Sequence, residues 1–248
     1  MKTPILKALA FATASILAAS PGLAASKYTE IEVTDGGTIA GVLMAGDDIQ
    51  AESKTYTISK DTAICGEGTR DVNFVRINDG HLLDAVVFLV KVSEGKPFPE
   101  ELATLTLDQK GCEFRPFMSV IENKGDMTAI NDDATLHNIH VYELIGNSRR
   151  TLLNVSQPNQ GDVVTKTIKV RKGDGLKVEC DAHDFMHAFV FVAKNPYYAL
   201  VNDDGTFTID NIPAGTYKIA VWQGQLGTKD MGTVEVSAGG ETTLDLVY

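Results

Sequence analysis

Aromatic and soft side chains are scarce in this chain, with one Trp, five His and three Cys among 248 residues. Trp222 stands alone, so there is no aromatic platform of the kind that stacks on sugar rings. Beyond residue 26 no stretch carries the apolar period of an amphipathic helix. None reaches the roughly 18 consecutive apolar residues that a membrane span needs. Cations are in deficit too: 22 Lys and Arg stand against 33 Asp and Glu, a net charge of −11. Such an acidic balance disfavours nucleic acid and anionic membranes and suits basic partners. No hydrolytic triad is visible, and the acidic run at 202–204 lacks the spacing and terminal Glu of a calcium loop.

What is present is β-type sequence behind an export leader. Lys2 and Lys7 precede an apolar Ala-rich run from Ala8 to Ala19, and Pro21-Gly22-Leu23-Ala24-Ala25 offers small residues for cleavage. Residues 1–25 therefore read as a secretory signal peptide, with no Cys near the cleavage site for a lipid anchor. Its removal would take the net charge to −13 and leave about 223 residues, expected to be periplasmic or secreted. Short alternating runs separated by Gly-rich turns make the fold class all-β. Residues 47–80 are polar and resist assignment. Asn123-Lys124-Gly125-Asp126 reads as a hairpin turn between two strands, and 147–161 as a long polar surface connection.

One stretch concentrates the chemistry. Cys180-Asp181-Ala182-His183-Asp184-Phe185-Met186-His187 holds a thiol, two imidazoles and a thioether, the soft donors that copper prefers. It lies between an alternating strand (Leu176, Val178, Cys180) and the apolar run Ala188–Val192. Upstream, Asn131-Asp132-Asp133-Ala134-Thr135-Leu136-His137-Asn138 leads into another strand. An Asn/Asp-rich turn, His-Asn opening a strand, then Cys-x-x-His and a Met resembles the cupredoxins, the plastocyanin-like copper proteins, over about residues 85–194. The resemblance implies a Greek-key β-sandwich in which His137, Cys180 and His183 bind one copper ion, Asn138 ties the two ligand loops together, and His183 exposes an edge to a partner. Met186 is the axial candidate and His187 its competitor. The gap of two residues after His183 is unlike plastocyanin and resembles the binuclear loop of oxidase subunit II, which needs a second Cys absent here. Zinc held by His137, His140, Cys180 and His183 is the other metal reading, but residues three apart on one strand face opposite ways. With Cys180 assigned to metal, Cys65 and Cys112 remain as a pair. In an oxidising compartment they are expected to bond, stabilising the fold by roughly 4 kcal/mol in the chain-entropy account.

The last fifty residues change character after Asn195-Pro196. Gly205-x-Phe207-x-Ile209 followed by Ile212-Pro213-x-Gly215-x-Tyr217 is similar to carboxypeptidase-regulatory-like and transthyretin-like sandwiches, and Gly36–Gly41 resembles their opening strand. The expected layout is 1–25 leader, 26–84 N-terminal β segment able to complete the C-terminal sandwich, 85–194 copper domain and 195–248 regulatory-like module. Over its whole length the chain looks like exported proteins labelled as methylamine-utilisation proteins. The resemblance implies mononuclear copper and one-electron transfer with a redox partner protein such as a cytochrome. The alternatives are a copper chaperone or store serving a copper-handling protein, and a structural or carbohydrate-binding β protein. An enzyme is not expected.

Overall fold

The computed structural model describes residues 28–248, and the expected leader over 1–25 lies outside them. Among these residues the only helical elements are the single turns Thr62–Cys65 and Glu100–Ala103; the regular structure is otherwise strand. No helix among them is long and apolar enough to cross a membrane.

Two sandwiches share the chain. In the first, a sheet ordered 114–115, 104–109, 126–131, 163–167 faces a five-stranded sheet ordered 118–122, 187–193, 175–179, 137–145, 148–157. Leu107, Met127 and Ala129 from one sheet meet Ile121, Ile139, Val178 and Val190 from the other in one core. The chain crosses between the sheets, so that Met118–Glu122 runs parallel to His187–Ala193 and Asp126–Asn131 runs parallel to Thr104–Gln109. In the second sandwich, a sheet ordered 198–200, 85–90, 215–223, 227–236 faces one built on Gly37–Met44, which pairs with Thr206–Ile212. Its core holds Ile39, Leu43, Leu82, Leu89, Phe207 and Ile219.

Period two explains why Ala85–Val90 and the 219–222 part of Gly215–Gln223 read as unbroken apolar runs. Val87, Leu89, Ile219 and Val221 enter the second core, while Val86, Phe88, Ala220 and Trp222 join the first. Phe191 bridges the sandwiches, 4.9 Å from Phe88 and 5.7 Å from Trp222 between ring centroids. Gly175 makes room for this contact, because a Cβ there would lie 2.2 Å from the Trp222 ring.

Three sequence expectations change, and one unassigned stretch gains a structure. Ala85–Val90 opens no strand of the first sandwich; it pairs with Tyr198–Leu200 and Gly215–Gln223 in the second. The 123–126 turn is not a hairpin, because its flanking strands belong to opposite sheets. It is a corner pinned by Asn123 N–H to Ala193 O at 2.8 Å and Lys124 N–H to Ile168 O at 2.7 Å. The polar stretch after Asn147 is a ten-residue strand, Ser148–Gln157, mostly exposed at a sheet edge. Within 47–80, Glu52–Thr57 and Thr69–Val75 pair as a hairpin whose tip carries the Thr62–Cys65 turn.

Candidate metal centre

The strand starting at His137 and the loop leaving Gly175–Glu179 end at the same edge of the first sandwich, since those strands are paired. Their register brings His137, Cys180 and His183 together. Their donor atoms all lie within 4.8 Å of one another, and the residues are 0%, 3% and 0% exposed. The loop is closed by Met186 N–H to His183 O at 3.1 Å and Cys180 N–H to Met186 O at 3.4 Å. Asn138 ties the strand to the loop. Its N–H points at Cys180 Sγ at 3.3 Å, and its Oδ1 accepts the Asp181 N–H at 2.6 Å.

Two carboxylates set the orientation of the imidazoles. His137 Nε2 lies 2.9 Å from Asp133 Oδ2, and His183 Nε2 lies 2.9 Å from Asp61 Oδ2. A carboxylate only accepts, so each Nε2 carries the proton. In neutral rings both Nδ1 atoms are then bare lone pairs. They face each other at 3.2 Å, with Cys180 Sγ 3.9 Å from His183 Nδ1. Two facing lone pairs beside a sulfur repel one another unless a cation lies among them. Carboxylate–histidine pairs of this kind fix the tautomer of metal-binding imidazoles. The donor set is therefore chemically suited to a soft or borderline metal such as copper.

Asp133 is itself held by the N–H groups of Gly111 and Cys112, at 2.8 and 2.7 Å. Burial works to raise its carboxyl, but these bonds and His137 prevail and leave it below the ordinary range. The hydrogen bond from His183 likewise lowers Asp61. Burial pulls His137 down and pushes the Cys180 thiol up, the latter opposed by the Asn138 N–H.

His183 presents no edge to solvent. Asp61 and the hairpin tip cover it, and the Cys65–Cys112 disulfide lies beside it. The exposed-edge expectation fails because residues 52–75, unassigned from sequence, fold over the site. Neither Asp61 nor the hairpin carries a local signal for this, as Asp61 is 122 residues from His183. Asp133 does carry one, four residues before His137 in the Asn/Asp-rich turn.

Met186 is 1% exposed. With Phe185 and His187 it lines a cavity of about 360 Å³ that also touches Arg70, Phe114 and Phe117. His187 turns elsewhere: its Nε2 lies 2.8 Å from Asp184 O and 3.1 Å from Tyr56 Oη, and its ring packs on Phe74 at 4.9 Å. Burial lowers it to about 4. His140 also lies outside the cluster, with Nδ1 2.9 Å from Asp181 Oδ1.

Fold and site together define an all-β sandwich protein with a buried His₂Cys donor cluster. Comparison with known proteins adds one partial family match: the model of polysaccharide lyase family 4, domain II, matches residues 181–244. That span runs from the Cys180–His187 loop through most of the region read as regulatory-like. No curated protein matches the chain. Similar solved structures include a copper-containing nitrite reductase from Thermus scotoductus, 18% identical over 42% of this chain and 24% of that one, with a TM-score of 0.29. This chain thus spans about a quarter of that reductase. A purple cupredoxin from Nitrosopumilus maritimus is 20% identical over 36% of this chain and 98% of its own, with a TM-score of 0.30. A reduced Cu(I) form of an amicyanin variant is 20% identical over 36% and 82%, with a TM-score of 0.29. The chemistry of the site rests on its geometry and not on these likenesses.

Proposed function

We propose that this chain is an exported protein that binds one copper ion through His137, Cys180 and His183, with Met186 as a weak axial donor. The observation that carries the reading is the pair of Nδ1 atoms facing each other at 3.2 Å beside the Cys180 sulfur, with each Nε2 engaged by a carboxylate. Bound copper would supply one-electron Cu(II)/Cu(I) chemistry. The chain's part is to hold the donors still. Asp133 and Asp61 fix the imidazoles, Asn138 donates to the thiolate, and the 52–75 hairpin excludes water. Rigid, dry donors limit reorganisation, which suits an electron carrier with a redox partner such as a cytochrome better than an enzyme.

The domain layout belongs to the same reading: a copper-binding sandwich inserted into an outer one, with Gly37–Met44 completing the C-terminal sheets. The pairing of that strand with Thr206–Ile212 supports it.

A second reading has its own support. His183 is 0% exposed beneath the hairpin tip, so the site is closed on the side a partner would use. Closure favours a copper store or chaperone over a fast carrier. The visible spectrum of the copper(II)-loaded protein separates the two. An intense sulfur-to-copper absorption, lost in Cys180→Ser, supports the carrier; a colourless protein that binds only Cu(I) supports the store. A protein that binds no copper would overturn both.

A further inference from the structure

The Cys65–Cys112 disulfide is placed as part of the metal cluster, not as a remote staple. Donor atoms of Cys65, Cys112 and His183 lie within 4.8 Å of one another, as do those of Cys112, Asp133 and His137, and all five residues are buried. The bond also joins the two segments that orient the imidazoles. The Cys65 turn begins at Asp61, which holds His183, and the Cys112 N–H donates to Asp133, which holds His137.

We propose that reduction of this disulfide creates a second soft-metal site, formed by the thiolates of Cys65 and Cys112, beside the His137–Cys180–His183 site and across the His183 ring from it. This rests on the one-copper reading above for its neighbour, though not for its own donors. The reductant is a dithiol. One of its thiolates attacks a sulfur of the pair, the Cys65–Cys112 bond breaks, and its second thiol resolves the mixed disulfide. The products are the reductant's disulfide and two protein thiols, each of which releases a proton on binding metal. Two thiolates are a donor set that selects monovalent copper.

The covering segment is built to open. Thr62–Cys65 is one helical turn with no side-chain cap, and Cys65 is its only buried residue. Ile64 is 37% exposed on its outer side. Besides the disulfide, the tip is held by Asp61 on His183 and by Arg70. The Arg70 guanidinium donates to Cys65 O at 2.7 Å and to Cys112 O at 2.5 Å, with Phe185 5.0 Å from it. An element with so little buried apolar surface opens locally at low cost, which gives a dithiol access to the sulfurs.

The test is anaerobic titration of the full protein with Cu(I) against a chromophoric chelator, with bound metal counted by native mass spectrometry. The protein is compared as isolated, after dithiol reduction and desalting, and after reoxidation. Reduction is expected to raise bound copper about twofold, from one ion to two, and reoxidation to return it to one. The Cys65→Ser/Cys112→Ser variant, its fold checked by Trp222 emission, should bind one in every condition. An unchanged count in the reduced protein, or a second copper in the double variant, would overturn the proposal. If copper binds only after reduction and only through Cys65 and Cys112, the one-copper reading fails and the second site stands.

Discussion

At the scale of single residues, the carboxylates behind the imidazoles do as much as the donors in front. Asp61 touches only His183 within the cluster, so Asp61→Asn should keep the fold while weakening copper affinity by about 10- to 100-fold. A competition titration would show it; unchanged affinity would mean that Asp61 merely covers the site. Met186→Leu against His187→Ala tests the axial assignment. The first should shift the reduction potential with copper still bound, and the second should leave it unchanged, because His187 is already engaged with Asp184 and Tyr56. Glu143 is a residue of another kind. It is 0% exposed, and its Oε1 accepts the N–H groups of Arg171, Lys172 and Gly173 at 2.8–3.0 Å, while Arg150 binds Oε2. Burial opposes its ionisation, yet these donors hold it down at about 2. A depressed carboxyl contributes stability that is full above the ordinary glutamate range and is lost as pH falls through about 2. Glu143→Gln should therefore cost about 2 kcal/mol near neutral pH and flatten the acid limb of a stability–pH curve measured by denaturant unfolding.

At the scale of elements, the 52–75 hairpin is the piece that converts an edge cluster into a closed site. Its strands alternate: Tyr56 is the one buried residue of Glu52–Thr57, while Val72, Phe74 and Val75 are buried in Thr69–Val75, and Tyr56, Val72 and Phe74 join the core of the first sandwich. The 58–68 tip, in which only Ile58 and Cys65 are buried, is retained by the disulfide, by Asp61 on His183 and by Arg70 on Cys112 O. Reducing the disulfide should thus release the 58–68 amides to exchange faster by orders of magnitude, while those of 137–145 and 187–193 keep their protection. Hydrogen exchange followed by mass spectrometry reads this directly. Equal acceleration in all three segments would mean that the disulfide stabilises the whole sandwich and not the cover.

At the scale of the whole molecule, the two sandwiches share a wall. Trp222 is 2% exposed and belongs to the core of the first sandwich, although its strand lies in the second. Trp222→Ala should cost about 3–5 kcal/mol, and the loss should reach both sandwiches. Denaturation followed by far-ultraviolet dichroism and by metal release is expected to give coincident transitions at a lower midpoint. Two separated transitions in the unmutated protein would show instead that the shared wall does not couple them. The same wall makes one strand ambiguous in sequence. Ala85–Val90 is apolar on both faces, which marks a strand buried on both sides but cannot say in which sheet.

The all-β class, the secreted-type cysteine arithmetic and the grouping of Cys180 and His183 on one loop were legible in the sequence. Each is a local property: a period of two, a parity, a spacing of three residues. His137 was legible too, through the Asn/Asp-rich turn that opens its strand. Only the tertiary structure decided that Asp61 caps His183, that the Cys65–Cys112 bond abuts the same imidazole, and that the site is closed. Those contacts join residues up to 122 positions apart, and no local pattern encodes them. They follow from where packing sets a hairpin whose apolar residues, Tyr56, Ile58, Val72 and Phe74, lie far in sequence from the core they join.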